Sequence, residues 1–291
     1  MLVIDIGNAF IKAIYENQRI TFPSTIGTSI DNINYDNKEF TVGKNENYLI
    51  NYSKADRSTT EEFIVGTALK FMKDIDIISV DKLVVGLPVA QWMKDKDDLA
   101  EKLEKRSPMT FEYKGLTKVF RYNSVEVQPE CIGVFYGSQD IDNLNQSLII
   151  DIGGLTTDII CMDTDGTITK PKTIGIGSLK VLNSIRSDIE LKYPEFGNLG
   201  LKTVTKFVKD GAIKYKGEYK DISFAYKNTT KLLDELYSIL SLEYSEELIK
   251  SDLYVLDCLG FFANSYKKKL PHLVHIEDSF ANAEGFKYLS E

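Results

Sequence analysis

Runs of apolar residues separated by short turn-forming stretches recur in two distant parts of the chain. Near the start, Leu2–Gly7 predicts a buried strand, and strands over Ile11–Tyr15 and Arg19–Phe22 follow it. Near the middle, Leu148–Ile152 begins the same order of three short strands. Continuous apolar runs of this length are typical of strands covered on both faces. The repetition predicts two related halves, each beginning with a three-stranded meander.

Apolar residues spaced three and four positions apart predict the helices. Thr59–Asp74 carries one such apolar face, and Lys94–Lys105 is charged and amphipathic. Pro129 predicts the first turn of a helix that runs to about Tyr136, because proline is favoured there. Helices are also predicted over 178–192, 201–209, 223–240, 245–249 and 280–289, and further strands over 81–88, 109–126 and 252–256. Strands alternating with helices in both halves predict an α/β fold with mixed sheets.

The order of these elements divides the chain into two predicted domains. We expect a first domain over residues 1–145, with a peripheral subdomain over about 22–75, completed by about 262–291. We expect a second domain over 146–261, with a peripheral part over about 178–222. A chain of 291 residues is long enough for two hydrophobic cores.

Composition excludes some classes of function. The net charge of −8 argues against a protein that coats nucleic acid, since such binding needs a basic face. No apolar run approaches the length of a membrane span, so no membrane partner is expected. Cys131, Cys161 and Cys258 lie among apolar neighbours and indicate a reducing compartment, so we expect a cytoplasmic protein. With two histidines in the sequence, a catalytic triad or a metal site built from histidines is disfavoured.

Each half has an acidic residue, a glycine and then small or hydroxylated residues at the end of its first strand. The first turn has Asp5 and Gly7, and the second has Asp151 and Gly153. Glycine allows close backbone approach, and consecutive amides of such a turn can bind an anion. An Asp beside a phosphate is favourable only with a divalent cation between them. The pair predicts a nucleotide clamped between two domains, with Asp5 and Asp151 near one metal ion. Alternatively, each Asp only caps its own turn.

Three further residues are candidates for the same site. Lys12 leaves the first turn and can reach back to a β- or γ-phosphate, although a single lysine is often only solvated. Thr156 offers a hydroxyl to phosphate or metal, but threonine is also common in strands. Glu130, directly after Pro129, can orient the water that attacks a γ-phosphate. Its alternative role is to complement the dipole of the predicted helix.

In this order, Asp5-Ile6-Gly7, Lys12, Pro129-Glu130 and the segment 151–158 resemble the actin, Hsp70 and sugar-kinase superfamily. Within it, the chain is most similar to the bacterial plasmid-segregation actins of the ParM (StbA) type. Residues 277–286 resemble the final helix of that family. The resemblance implies duplicated actin-like domains of the ribonuclease H-like type, with mixed sheets flanked by helices and a nucleotide cleft between the domains.

The resemblance also implies a role for individual residues. Asp5 and Asp151 would lie near Mg²⁺, and Glu130 would align the hydrolytic water. Glu130 and Asp151 would be the catalytic residues. The backbone of both turns and Lys12 would hold the phosphates, through Gly7, Asn8 and Ala9 on one side and Gly153, Gly154, Leu155 and Thr156 on the other. Lys209 and Gly260 would lie near the nucleoside. The family usually has two or three consecutive glycines at the latter position, whereas this chain keeps only Gly260.

The function implied by the resemblance is a cytoplasmic filament that hydrolyses ATP, or GTP, and moves plasmid DNA. Its partners would be further copies of itself and a DNA-binding adaptor on a centromere-like plasmid site. One alternative is a small-molecule kinase of the same superfamily, which needs a carboxylate base beside a substrate hydroxyl. Another is a scaffold that binds nucleotide without hydrolysis.

Overall fold

The computed structural model describes residues 1–45, 48, 53–55, 59–72, 74–138, 145–257, 269–270 and 272–291. The predictions for Cys258 and Gly260 concern residues outside these ranges.

A nine-stranded mixed sheet contains the strands of the first half. They are β1 (Leu2–Ile6), β2 (Phe10–Tyr15), β3 (Gln18–Pro23), β4 (Ile26–Gly27), β5 (Ile33–Tyr35), β6 (Lys38–Val42), β7 (Ile77–Leu87), β8 (Met109–Tyr113) and β9 (Leu116–Pro129). Their order across the sheet is β3-β2-β1-β7-β9-β8-β5-β6-β4.

A five-stranded mixed sheet and a separate hairpin contain the strands of the second half. They are β10 (Ser147–Ile152), β11 (Thr157–Met162), β12 (Ile168–Ile174), β13 (Ala212–Tyr215), β14 (Glu218–Asp221), β15 (Asp252–Asp257) and β16 (Val274–Ile276). The five-stranded sheet has the order β12-β11-β10-β15-β16, and β13 pairs with β14.

The two sheets share one arrangement of five strands. β1, β2 and β3 form an antiparallel meander, as do β10, β11 and β12. β7 and then β9 extend the first meander in parallel, and β15 and then β16 extend the second in the same way. The duplication predicted from the two apolar repeats is therefore confirmed in the strand order.

Helices cover both faces of each sheet. They are α1 (Thr60–Met72), α2 (Val89–Glu104), α3 (Ile132–Ser138), α4 (Ser178–Lys192), α5 (Leu201–Asp210), α6 (Lys227–Glu243), α7 (Glu247–Lys250) and α8 (Ala281–Ser290). α1 and α2 contribute Phe63 and Leu103 to the core on one face of the first sheet, while Phe286 of α8 packs on the other face. In the second half, α4 packs on one face and α3 on the other. The predicted α/β class, with mixed sheets flanked by helices, is confirmed.

The predicted helix start at Pro129 is wrong. β9 continues through Pro129, which pairs with Leu87 of β7. The Glu130 N–H then donates a 2.8 Å hydrogen bond to the Leu87 carbonyl, so Glu130 still belongs to the strand edge. Cys131 has a φ of 71°, a left-handed conformation that is costly for a residue with a side chain, and it turns the chain into α3 at Ile132. Glu130 consequently projects from a strand end.

The hairpin β13–β14 and strand β16 were not predicted. The many charged residues of the hairpin obscure the alternation of apolar and polar positions that predicts a strand, and β16 has only three residues. Ser223–Tyr226 forms a 3-10 turn before α6, where a single helix was expected. Within the described ranges, every helix is too short or too polar to cross a bilayer.

Candidate functional site

The ends of β1 and β10 meet at a cavity between the two sheets, with a volume of about 30 Å³. Most of the residues predicted for the site line this cavity: Asp5, Gly7, Asn8, Ala9, Lys12, Glu130, Asp151, Gly153, Gly154 and Thr156. Phe10, Lys54 and Asn282 line it as well and were not predicted. A larger cavity of about 260 Å³ lies beside β6 and α1, and it is lined by none of the predicted site residues.

The two glycine turns pack directly on each other. A Cβ atom added to Gly154 would lie 2.7 Å from the backbone nitrogen of Ala9, too close for any side chain. Within the first turn, a Cβ on Gly7 would lie 2.4 Å from the carbonyl oxygen of Phe10. Glycine is therefore required at both positions by close approach of the backbone. The turn-to-turn contact joins the two halves at the cavity.

Neighbouring elements hold the peptide planes of both turns. The first two residues of α4 donate from their N–H groups, Ser178 to the Gly153 carbonyl at 3.0 Å and Leu179 to the Gly154 carbonyl at 2.8 Å. In the first turn, the Ser24 N–H donates to the Ala9 carbonyl at 2.9 Å. The Ser24 hydroxyl also donates to the Gly7 carbonyl. Because these hydrogen bonds fix the carbonyl groups of both turns, the turns form rigid parts of the cavity wall.

Asp5 and Lys12 face each other across the β1–β2 ladder. The Lys12 Nζ donates to Asp5 Oδ2 at 3.1 Å, and the two residues are only 6% and 3% exposed. Side chains opposite each other in an antiparallel pair point to the same face of the sheet. Lys12 thus lies at the cavity with its charge partly balanced by Asp5, and it is not a solvated surface lysine.

Glu130 is buried and forms an ion pair with Lys54. Burial raises the pKa of the Glu130 carboxyl, and the Lys54 ammonium opposes that rise. Two hydrogen bonds hold the backbone of Lys54. Its N–H donates to Gln91 Oε1 of α2 at 2.9 Å, and its carbonyl accepts from the Thr60 hydroxyl of α1 at 3.1 Å. Glu130 and Lys54 therefore reach the cavity from separate parts of the first half.

Asp151 accepts a 2.6 Å hydrogen bond at Oδ2 from the side-chain amide of Asn282. Burial, followed by the nearby charge of Glu130, raises the pKa of Asp151 to about 7. The carbonyl oxygen of the same Asn282 amide accepts from the Val134 N–H at 3.1 Å. One side chain of α8 thus joins the end of β10 to the first turn of α3.

The cavity carries three carboxylates, Asp5, Glu130 and Asp151, and two ammonium groups, Lys12 and Lys54. Mg²⁺ in proteins is commonly held by one or two carboxylates, several waters and the phosphates of a substrate. Asp5 and Asp151 therefore fit a magnesium ion that arrives with a phosphate. In the described part of the chain, no three His, Cys, Asp or Glu residues are grouped to hold a metal by themselves.

The remaining predicted residues lie in different surroundings. The side chain of Leu155 is buried in the core of the second half, so only its backbone is available to a ligand. Lys209 is exposed on α5 and is not a lining residue of the cavity. Gly260 falls outside the described residues. The roles assigned to these residues stay predictions.

The resemblance to actin-like proteins is confirmed by comparison with known proteins. Residues 3–133 match the family model described as the N-terminal domain of actin like proteins. No curated protein sequence matches the chain significantly.

Solved structures match over nearly the whole chain. The archaeal actin homolog Ta0583 in complex with ADP superposes with a TM-score of 0.80 at 18% identity, covering 99% of this chain and 98% of that one. A non-polymerisable quadruple mutant of pCBH ParM gives 0.79 at 21% identity, with coverage of 99% and 98%. A 15-stranded ParM filament from Clostridium botulinum gives 0.77 at 19% identity, with coverage of 99% and 97%. At these identities the comparisons show the fold.

Proposed function

We propose that this chain, which has the fold of the actin homologues, binds a nucleoside triphosphate with Mg²⁺, hydrolyses it and assembles into filaments that segregate plasmid DNA. The observation that supports this best is the contact of the two glycine turns beside Asp5, Glu130 and Asp151 at one cavity. Anion-binding turns and carboxylates are the groups that a magnesium–phosphate ligand requires.

The lining groups that the sequence predicts each have a part in this proposal. The backbone of both turns and the Lys12 ammonium hold the phosphates. Asp5 and Asp151 hold Mg²⁺, which when bound neutralises charge on the phosphate oxygens. Glu130 orients a water molecule whose oxygen attacks the γ-phosphorus, while the bond to the β–γ bridging oxygen breaks. The proton of that water passes to Glu130.

The size of the cavity gives the proposal a conformational component. The cavity is small in this structure, with a volume of about 30 Å³. We therefore expect a bound nucleotide to widen the cleft around it, which changes the angle between the two halves. Domain closure around a ligand is a common switching motion. In a filament, such a change in angle alters the surfaces that touch the next subunit.

The proposed filament and its contact with plasmid DNA rest on the shared fold and on the charge of the chain. Filaments are supported by the shared fold with the 15-stranded ParM filament of Clostridium botulinum. ATP is favoured over GTP because an archaeal homologue of the same fold has been solved with ADP. A net charge of −8 favours contact with plasmid DNA through a separate adaptor protein rather than directly.

Sedimentation combined with phosphate release tests the proposal. The protein is incubated with ATP, GTP or a non-hydrolysable analogue, each with Mg²⁺ or with EDTA. We expect the protein to pellet with triphosphate and Mg²⁺ and to stay in the supernatant with EDTA. Glu130→Gln is expected to pellet but to release phosphate at least about a hundredfold more slowly, the usual size of general-base catalysis.

Glu126→Gln is the matched control, because Glu126 lies on β9 four residues before Glu130 and pairs with Lys82 outside the cavity. It should release phosphate at the wild-type rate. Pelleting without phosphate release in the wild type would instead support the non-hydrolysing scaffold, and no binding of any nucleotide would refute the proposal.

A further inference from the structure

Lys54 is a buried cation of the cavity for which the proposed reaction has no role. Its side chain is 4% exposed and forms an ion pair with the Glu130 carboxylate. An ammonium on a flexible stem is rarely buried this far without a specific partner. The Lys54 ammonium holds Oε1 of Glu130 and disfavours protonation of the carboxylate, so the ion pair weakens Glu130 as a base for the attacking water.

We infer that Lys54 binds the γ-phosphate and thereby distinguishes a triphosphate from a diphosphate, an inference that rests on the proposed function. Before the nucleotide is bound, Lys54 and Glu130 neutralise each other. When a γ-phosphate enters, the Lys54 ammonium leaves Glu130 and donates to a γ-phosphate oxygen, and the Glu130 carboxylate becomes available to water. With a diphosphate, the Lys54–Glu130 ion pair remains closed.

The anchoring of Lys54 favours movement of its ammonium rather than its backbone. The Lys54 backbone is fixed by Gln91 of α2 on its N–H and by Thr60 of α1 on its carbonyl. Rotation about the bonds of the four-carbon side chain allows the ammonium to reach other acceptors near this fixed backbone. Glu130 lies at the cavity beside both glycine turns, so an acceptor placed there is close to the present partner of Lys54.

The charge of the cavity supports the same assignment. Three carboxylates stand against two ammonium groups, and removal of Lys54 would leave Lys12 as the single cation among the lining residues that the structure describes. A γ-phosphate adds negative charge that a diphosphate lacks. If Lys54 donates to the γ-phosphate, its loss weakens triphosphate binding more than diphosphate binding, because only the triphosphate then loses a charge-assisted hydrogen bond.

Equilibrium binding in a Glu130→Gln background separates this role from any effect through Glu130. Calorimetry with Mg²⁺ measures the Kd of ATP and of ADP for Glu130→Gln and for Lys54→Met/Glu130→Gln. We expect the double variant to bind ATP about tenfold to a hundredfold more weakly, while its affinity for ADP changes less than about threefold. Lys54→Arg/Glu130→Gln keeps a cation and should retain most of the preference for ATP.

Lys118→Met/Glu130→Gln is the matched control. Lys118 is also a buried lysine with a carboxylate partner, Asp76, but it lies away from the cavity. Its variant should keep the affinities of the Glu130→Gln protein for both nucleotides. An unchanged ratio of the ATP and ADP affinities in Lys54→Met/Glu130→Gln would overturn the role of Lys54 and leave the proposed function standing. A wild-type protein that binds no ATP would overturn both.

Discussion

Asp158 lies directly opposite Asp151 in the β10–β11 ladder, at the position that Lys12 holds opposite Asp5 in the β1–β2 ladder. The two duplicated hairpins therefore differ at one position: the first pairs an acidic residue with a basic one, and the second pairs two acidic residues. Burial, with the charge of Glu130, raises the pKa of Asp158 to about 8. The Thr173 hydroxyl donates to Asp158 at 2.5 Å.

The Asp151–Asp158 pair makes the stability of the protein depend on pH. An Asp in the unfolded chain ionises at about pH 3.9, whereas folded Asp158 ionises at about 8. Between these values unfolding releases a proton, so stability falls as pH rises and levels off above the folded pKa. We expect Asp158→Asn to raise the free energy of unfolding relative to wild type, by a margin that grows from about pH 5 to about pH 8.

Denaturant unfolding across this pH range, without nucleotide or metal, measures the margin. One titrating proton gives at most about 1.4 kcal/mol per pH unit. Asp165→Asn is the control, because hydrogen bonds from Thr167 lower the pKa of Asp165 and its titration lies below this range. A margin for Asp158→Asn that stays constant from pH 5 to pH 8 would contradict the assignment.

Asn282 contributes to stability through two buried hydrogen bonds. Its amide donates to Asp151, and its carbonyl oxygen accepts from the Val134 N–H. Asn282→Ala removes both hydrogen bonds, at a cost of about 0.5–1.5 kcal/mol for the bond between neutral groups and about 1.5–3 kcal/mol for the bond to the carboxyl group. We expect the free energy of unfolding to fall by about 2–4 kcal/mol. Asn183→Ala, which removes one hydrogen bond to the Leu179 carbonyl within α4, should cost much less. Equal losses in the two variants would remove Asn282 from this role.

Gly154 tests the contact between the two turns. A methyl group there would press on the backbone of Ala9 and Asn8, which cannot yield as a flexible side chain can. We expect Gly154→Ala to destabilise the protein by about 1–3 kcal/mol and to weaken nucleotide binding at least about tenfold, since 1.4 kcal/mol corresponds to a factor of ten. Gly175→Ala is the control, because a Cβ on Gly175 meets nothing within 4 Å. Thermal melting and nucleotide titration of both variants give the comparison, and wild-type binding by Gly154→Ala would show that the turns do not form the site.

Much of the fold follows from the apolar pattern, because buried strands and amphipathic helices have periods that the sequence displays. The repeat at Asp5 and Asp151 also predicted which two turns would meet, since both end the first strand of a meander. The position of Lys12 after the first turn predicts that it lies near the phosphates, and the β1–β2 ladder places it opposite Asp5. The sequence wrongly predicts a helix at Glu130, because the preceding proline suits both a first helical turn and a strand edge. Only the pairing of Pro129 with Leu87 of β7 decides between them.

Lys54 and Asn282 show what sequence reasoning missed in the site. Lys54 lies 76 residues from Glu130, in a polar stretch with no periodicity, and Asn282 lies 131 residues from Asp151 in a helix first turn. Neither residue is distinctive in its local sequence, and the role of each depends on a contact that forms only in the folded protein. Cys131, between the end of β9 and the start of α3, carries no local sign of its left-handed conformation either.

The central claim is that the paired turns bind a magnesium–triphosphate, and calorimetric titration of the wild-type protein with ATP tests it most directly. The titration is run once with Mg²⁺ and once with EDTA, beside an Asp151→Asn variant. We expect a Kd well below 1 mM with Mg²⁺, about −4 kcal/mol or better, and at least about tenfold weaker binding either in EDTA or with Asp151→Asn. The absence of binding at millimolar ATP, or an affinity that neither EDTA nor Asp151→Asn reduces, would contradict the account.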